Sequence, residues 1–243
     1  MRNYLPLHIL PIEEKGCHIL VRARVNDQPA NLLIDTGASH TVFDKTRASR
    51  YSFKASGEEN RFRALGLGNT IESHILELEK FSIENKHYRD YPVILMDLSP
   101  INDLYEGIVG EEIHGILGSD LLLGLEGVIN YKKQKIRLNG KKTPFMLLSM
   151  SGEILHIMMK IKIQGKEANL LIDTGASTTL FNSRNFASLQ AYQPEDLQPN
   201  EQASAGIEAD YSGHNSLVID HIDLGGLRLS PFEALLLDLS HVN

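Results

Sequence analysis

Two carboxylates occupy matched positions in this sequence. Asp35 and Asp173 lie in two copies of the nine-residue segment NLLIDTGAS, at residues 31–39 and 169–177. Two carboxyl groups held about 3 Å apart cannot both ionise, so one keeps a proton while the other is charged. Such a pair can serve as general base and general acid towards one bound water. The sequence therefore predicts metal-free hydrolysis by Asp35 and Asp173, which would titrate as a coupled pair.

The two motifs belong to a longer internal repeat. Residues 18–44 align with residues 156–182 without a gap, and 14 of these 27 positions are identical. A second block aligns residues 93–99 with residues 234–240. Because a repeat indicates repeated structural units, we predict two domains, a first repeat at residues 1–143 and a second repeat at residues 144–243. The second repeat is expected to be shortened, since it lacks a match to residues 115–138.

Polar and apolar residues alternate just before each motif. Residues 21–25 and 159–163 show this alternation, and a pair of turn residues follows in each case. This pattern predicts a β-hairpin that leads into a buried strand, with the Asp at the strand end. Glycine after Asp-Thr is expected to permit the sharp turn there. Other strands are predicted at the segments 75–79, 91–96, 135–138, 217–219 and 232–237, and one helix at residues 119–125, capped by Ser119 or Asp120. The predicted fold is mainly β.

The sequence shows no pattern typical of a metal site or of a serine hydrolase. The ten histidines show no metal-ligand spacing and Cys17 is the single cysteine, so we expect no metal, no cofactor and no internal disulfide. Ser39 and Ser177 lack the Gly-x-Ser-x-Gly pattern of a serine hydrolase. His18 and His156 occupy equivalent positions of the repeat, and we expect both to be structural, with hydrogen-bonded ring nitrogens.

Charge and hydropathy narrow the class of protein. The composition is 42% hydrophobic and 23% charged, as in globular proteins. The whole net charge of −7 falls in the second repeat, which disfavours nucleic acid as a partner. The apolar stretch at residues 1–12 is short and interrupted, and no apolar run of 18 residues follows. We predict a cytoplasmic protein that neither spans nor binds a membrane.

These features together resemble the retropepsin-type aspartic peptidases, in a tandem, single-chain form. The resemblance is carried by Ile-Asp-Thr-Gly-Ala-Ser after a hairpin in both copies, and by Ile116-Leu117-Gly118 before a short helix. It implies two β-barrel lobes related by pseudo-two-fold symmetry, with a peptide or protein as substrate. Asp35 and Asp173 would be catalytic. The residues expected to support the two catalytic loops are Thr36, Gly37, Ala38, Thr174, Gly175 and Ala176.

The resemblance also suggests two mobile hairpins and a pH range. The hairpins that close over substrate in this family would correspond to residues 63–69 and 204–210. Pepsin-like enzymes carry a hydroxyl at the positions of Ala38 and Ala176, and that hydroxyl favours the charged carboxylate. Its loss is expected to raise the pKa values of the pair and to move the optimum to mildly acidic pH.

Three arrangements remain open from the sequence. Asp35 and Asp173 can pair within a monomer, or the first repeats of two chains can pair in a homodimer. The third alternative is a duplicated module that has lost catalysis and serves binding or dimerisation.

Overall fold

We describe the protein from a computed structural model. The structure describes residues 4–12, 16–55, 61–65, 70–138, 146–150, 154–188, 192–199, 215–224, 226–229 and 231–239. Two compact units emerge from the contacts within the chain. The first unit comprises Met1–Ala64, Ile71–Ile157 and Ile172–Ser177, and the second comprises Leu65–Thr70, Met158–Leu171 and Thr178–Asn243. The segment that carries Asp173 therefore belongs to the first unit, together with Asp35. The domain boundary predicted from the repeat stays a prediction.

The first repeat is built mainly from strands, as predicted. Its strands are β1 Tyr4–Pro6, β2 His8–Pro11, β3 Cys17–Val25, β4 Gln28–Ile34, β5 Val42–Asp44, β6 Lys54–Ala55, β7 Arg61–Leu65, β8 Thr70–Ile83, β9 Lys86–Met96, β10 Gly115–Leu117, β11 Val128–Asn130 and β12 Lys135–Arg137, and β13 Met146–Met150 follows. Its helices are α1 Ser99–Val109 and α2 Ser119–Leu125, with a 3-10 helix at Lys45–Arg50. Neither α-helix, nor any other helix in the described part of the chain, has the length and apolar character needed to cross a membrane.

A closed barrel forms the centre of the first unit. Its strands follow the order β3-β4-β10-β5-β9-β8, and β8 returns to pair with β3 through Arg24 opposite Ser82 and Val25 opposite Phe81. The side chains that fill the barrel come from alternate positions of these strands, because neighbouring residues of a strand point to opposite faces. Val21, Ala23 and Val25 on β3 are all buried, whereas the two arginines between them are exposed. The alternation read from the sequence is thus the inside-outside pattern of a barrel strand.

The hairpin of β3 and β4 turns as the sequence predicts. Asn26 and Asp27 both adopt positive φ, 45° and 65°, which is the backbone of the tight turn that matches strand twist. Gln164 and Gly165 repeat this conformation, with φ of 52° and 80°. Each turn sends the chain back along its partner strand towards the motif.

Strand β10 supports the first motif from behind. It runs parallel to β4, with Leu117 opposite Ile34, and antiparallel to β5, with Ile116 opposite Val42. Helix α2 follows at the residues predicted for it. Its N-cap is Gly118, so the expectation that Ser119 or Asp120 caps the helix is wrong. Both side chains bind the neighbouring loop instead.

The second repeat is also mainly β. Its strands are β14 Ile154–Ile163, β15 Lys166–Leu171, β16 Leu180–Asn182, β17 Gln198–Pro199, β18 Asn215–Ile219, β19 Ile222–Leu224, β20 Leu227–Leu229 and β21 Phe232–Leu237. Two 3-10 helices lie at Ser183–Ser188 and Pro194–Asp196. The second unit holds a hairpin of β14 and β15, extended by β19 and β20, and a sheet in the order β16-β21-β18-β17. Its core is formed by Ile161, Ile163, Leu217, Ile219, Ala234 and Leu236, together with their neighbours.

The strand pairings follow the two aligned blocks of the sequence repeat. In the first repeat β5 runs parallel to β9 with Val42 opposite Ile94, and in the second β16 runs parallel to β21 with Leu180 opposite Leu235. The N–H of Ile94 donates to the carbonyl of Thr41 at 3.1 Å, and that of Leu235 donates to the carbonyl of Thr179 at 3.0 Å. The internal repeat is therefore a repeat of hydrogen-bonded structure. Counterparts of β10 and α2 are absent from the described residues of the second repeat.

Two sequence expectations fall partly or wholly on residues outside this description. Residues 66–69 and 204–210, which carry the glycines of the proposed mobile hairpins, are among them. Strand β12 agrees with the predicted strand at residues 135–138.

Two glycines of the supporting segment provide a matched test of packing. A methyl group at Gly115 would collide with the carbonyl oxygen of Val42, whereas one at Gly124 would meet nothing within 4 Å. We expect Gly115→Ala to lower the free energy of unfolding by about 2 kcal/mol or more, because the strand backbones must separate. Gly124→Ala is expected to raise it by about 0.5–1 kcal/mol, because Gly124 lies in α2. Urea unfolding measures both, and equal effects of the two changes would contradict the close contact.

Candidate active site

The two motifs meet within the first compact unit. Asp35 follows directly on β4, and its N–H donates to the carbonyl of Leu117 on β10 at 3.1 Å. Asp173 follows β15 after one residue, Ile172, whose N–H donates to the carbonyl of Ile157 on β14 at 2.9 Å. Each aspartate is thus held at the end of a strand by the backbone of the neighbouring strand.

Four crossed hydrogen bonds join the motifs through their threonines. The hydroxyl of Thr36 donates to the carbonyl of Ile172 at 2.6 Å, and the hydroxyl of Thr174 donates to the carbonyl of Ile34 at 2.8 Å. The N–H of Thr36 donates to Oγ1 of Thr174 at 3.1 Å, and the N–H of Thr174 donates to Oγ1 of Thr36 at 3.0 Å. Each hydroxyl accepts one bond and donates another, so neither polar group is left unpaired. This symmetric ring fixes the two loops against each other.

Each aspartate also binds its own loop. Oδ1 of Asp35 accepts from the N–H groups of Gly37 at 2.7 Å and Ala38 at 3.1 Å. Oδ1 of Asp173 accepts from the equivalent N–H groups of Gly175 at 2.8 Å and Ala176 at 3.2 Å. These bonds orient the two carboxyl groups and leave Oδ2 of each free of the loop bonds.

The motif glycines are required by close approach, and not by an unusual backbone. A methyl group at Gly37 would lie 2.5 Å from Oδ2 of Asp173, and one at Gly175 would lie 2.5 Å from Cγ of Asp35. Neither glycine is among the described residues with positive φ, so the expected need for a special dihedral is wrong. Because each glycine packs on the carboxyl group of the opposite motif, any side chain there would separate the two loops.

The pair holds a proton more tightly than an isolated carboxyl group. Burial raises the pKa of Asp35 to about 8, the charge of Asp173 and a hydrogen bond to it act in the same direction, and the N–H groups of Gly37 and Ala38 oppose them. Asp35 nevertheless retains partial exposure. With Asp173 beside it, the raised pKa of Asp35 favours one proton on the pair near neutral pH.

Asp120, which the sequence analysis considered only as a helix cap, supports the loop that follows the first motif. Oδ2 and Oδ1 of Asp120 accept from the N–H of Thr41 at 3.0 Å and from its hydroxyl at 2.8 Å. The hydroxyl of Ser119 donates to the carbonyl of Thr36 at 2.9 Å. The sequence could not predict these contacts, because the loop and the start of α2 are about 80 residues apart.

Two histidines near the motifs are not satisfied as expected. Nε2 of His18 and Nδ1 of His156 are buried and make no hydrogen bond. The expectation that both rings have fully bonded nitrogens is therefore wrong. Within the described part of the chain, no three His, Cys, Asp or Glu side chains group closely enough to hold a metal ion.

Comparisons with known proteins identify a family. A family model described as aspartyl protease matches residues 21–121 and 159–243, which include both motifs. The chain is similar to the crystal structure of a retropepsin-like aspartic protease from Rickettsia conorii, with 18% identity and a TM-score of 0.37, over 56% of this chain and 94% of that chain. It is also similar to the EIAV protease complexed with the inhibitor HBY-793, with 19% identity and a TM-score of 0.33, over 49% of this chain and 95% of that chain. No curated protein matches the chain significantly.

The raised pKa of Asp35 predicts how stability depends on pH. The folded pKa of about 8 lies above the ordinary value of 3.8, so the folded state binds the proton more tightly than the unfolded state. The stabilisation is complete below pH 3.8 and is lost as the pH rises through about 8. We expect the free energy of unfolding of Asp35→Asn to lack this decline, which is at most about 1.4 kcal/mol per pH unit.

Chemical unfolding between pH 4 and 8 measures the difference. Asp103→Asn is the matched control, because Asp103 is an exposed carboxylate on α1. It should keep the pH dependence of the unmodified protein. Parallel curves for the unmodified protein and Asp35→Asn would contradict the shared proton.

Proposed function

We propose that this chain, which belongs to the aspartyl protease family, is an endopeptidase that hydrolyses peptide bonds with a water activated by Asp35 and Asp173. The observation that carries the proposal is the ring of threonine hydrogen bonds between the two motifs. It brings the carboxyl group of each motif against the glycine of the other. A single motif of this kind could serve as a turn. Two motifs joined in this way hold the proton and the negative charge that acid–base hydrolysis requires.

The geometry supports a mechanism without a covalent intermediate. The ionised carboxylate of the pair accepts a proton from a water bound between the two groups, and the water oxygen attacks the carbonyl carbon of the peptide. The protonated carboxyl group gives its proton to the carbonyl oxygen, which forms a neutral diol. The diol collapses when one of its hydroxyl protons returns to a carboxylate and the nitrogen of the leaving amine receives the other carboxyl proton. The pair again holds one proton at the end of the cycle.

The proposed assembly is the single-chain form. The first and second repeats, residues 1–143 and 144–243, each contribute one aspartate, and the substrate is a peptide or protein. The contacts in support are intramolecular, since both motifs lie in one compact unit of one chain. A monomer would then be sufficient for hydrolysis.

Cleavage of a peptide library tests the assignment. We expect Asp35→Asn and Asp173→Asn each to reduce kcat/KM by about a thousandfold or more, because either change removes one half of the acid–base pair. Asp103→Asn is expected to leave kcat/KM unchanged, because this carboxylate is exposed on α1. Mass spectrometry of the library products measures all four proteins, and a pepstatin-like inhibitor should block the active ones.

The outcomes separate the three arrangements left open by the sequence. Loss of activity in both Asn variants supports the single-chain pair. Loss in Asp35→Asn alone would favour pairing between the first repeats of two chains. If the unmodified protein cleaves no peptide between pH 3 and 8, a function in binding or dimerisation is favoured.

The shared proton also fixes the alkaline limit of activity. Activity requires one proton on the pair, and the pKa of Asp35 is raised to about 8 by burial and by Asp173. We expect kcat/KM to be sustained at mildly acidic to neutral pH and to fall as the pH rises through about 8. A profile of kcat/KM between pH 2 and 9 measures this limit, and a maximum below about pH 3 would contradict it.

A further inference from the structure

Two strands of the second repeat each have an unpaired edge. In the first repeat β10 lies between β4 and β5 and pairs with both. The equivalents of these two strands, β15 and β16, belong to two different sheets. Within the described residues β15 pairs only with β14, and β16 pairs only with β21. The edges left unpaired are those that β10 occupies in the first repeat, and such an edge presents N–H and C=O groups to a further strand.

Identical side chains beside these edges differ in burial. Leu32 on β4 and Phe43 on β5 are both fully buried. Their counterparts in the repeat, Leu170 on β15 and Phe181 on β16, are only half-buried. Because the residue types are the same, the difference lies in what packs against them, and β10 packs between β4 and β5. A strand placed like β10 would cover apolar surface on β15 and β16, and the removal of that surface from water favours binding.

A cation and an amide beside β15 match a pair that binds a carboxylate in the first repeat. Arg22 lies opposite Asn31 on neighbouring strands. Nη2 of Arg22 lies 3.5 Å from Oε1 of Glu111, and Nδ2 of Asn31 donates to Oε2 of Glu111 at 3.1 Å. Lys160 and Asn169 lie opposite each other in the same way, and both are exposed. They keep the positive charge and the amide donor, so this part of the second repeat is complementary to a carboxylate.

The strand that fits these edges has a defined sequence pattern. A methyl group at Gly115 would lie 2.4 Å from the carbonyl oxygen of Val42, and one at Gly118 would lie 2.4 Å from that of His40. The backbone of β5 and of the loop before it therefore requires glycine at both positions. The two residues between the glycines are apolar and buried, since the strand is covered on both faces. With Glu111 included, the pattern is a carboxylate four residues before Gly-apolar-apolar-Gly.

We propose that β15 and β16 bind an extended segment of another polypeptide as an added strand, with a carboxylate four residues before Gly-apolar-apolar-Gly. The added strand runs parallel to β15 and antiparallel to β16, as β10 does with β4 and β5. Backbone hydrogen bonds and buried apolar side chains provide the affinity, as in strand addition to other sheet edges. Because an exposed ion pair contributes little to affinity, Lys160 and Asn169 act mainly in the choice of partner.

A second copy of this chain is not the expected partner. Its own segment of this pattern is already paired in β10 and buried in its first unit, so the barrel would have to open to release it. The partner is therefore a different polypeptide, whose segment is free to become extended. Strands β15 and β16 lie in the second compact unit, whereas Asp35 and Asp173 lie in the first. Binding at β15 and β16 can thus be measured without any peptidase activity.

Fluorescence anisotropy of a labelled peptide with the sequence of residues 111–120 tests the proposal on the full chain. We expect saturable binding, which Gly115→Val in the peptide abolishes. Glu111→Lys in the peptide is expected to weaken binding about fivefold or more, and Lys160→Glu in the protein to restore binding of that altered peptide. Lys133→Glu is the matched control, because this exposed lysine follows β11 and should leave binding unchanged. Failure of the unmodified peptide to bind would overturn the proposal.

Hydrogen exchange locates the bound peptide and separates this proposal from the proposed function. We expect slower amide exchange in β15 and β16 when the peptide is bound, because new hydrogen bonds protect their edges. A saturating pepstatin-like inhibitor should not displace the peptide, and Asp35→Asn should bind it equally well. Displacement by the inhibitor, or protection confined to other strands, would overturn the proposal even if the protein is a peptidase. Protection of β15 and β16 supports it even if the protein cleaves no peptide.

Discussion

The crossed hydrogen bonds of Thr36 and Thr174 are the interaction on which the site depends. Each threonine accepts from the N–H of the other and donates to the carbonyl that precedes the opposite aspartate. The ring needs a threonine and the same backbone course in both loops, since every bond has a symmetric counterpart. The identity of the two threonines is therefore explained by the geometry of the ring.

The close approach created by this ring explains the remaining residues of the motifs. Gly37 and Gly175 must lack a side chain because each packs on the carboxyl group of the opposite motif. Each glycine N–H binds the aspartate of its own loop. The N–H of Gly37 lowers the pKa of Asp35, but enclosure and the neighbouring carboxyl group raise it more strongly. The packing that positions the pair thus also holds its proton.

The sequence predicted those parts of the fold that are encoded locally. The hairpins, the strand before each motif and helix α2 each follow from the alternation or the turn residues of one short segment. Helix α1 was missed, and so were the contacts of Asp120 with Thr41 and of Tyr105 with His18. These contacts join segments that are about 80 residues or more apart, and no local pattern reports them. The role of the motif glycines was misjudged for the same reason, because the group that excludes a side chain comes from the other copy.

Identical motifs do not provide identical surroundings. The first motif and the loop after it are held by hydrogen bonds from β10 and α2, through Leu117, Ser119 and Asp120. The second motif is instead contacted by Gly16, just before β3, and by the backbone of β14 at Ile157. The ring of threonine hydrogen bonds is symmetric, but the segments that support its two loops are different. Divergence outside the motifs has therefore changed what supports each loop and has left the residues of the loops themselves unchanged.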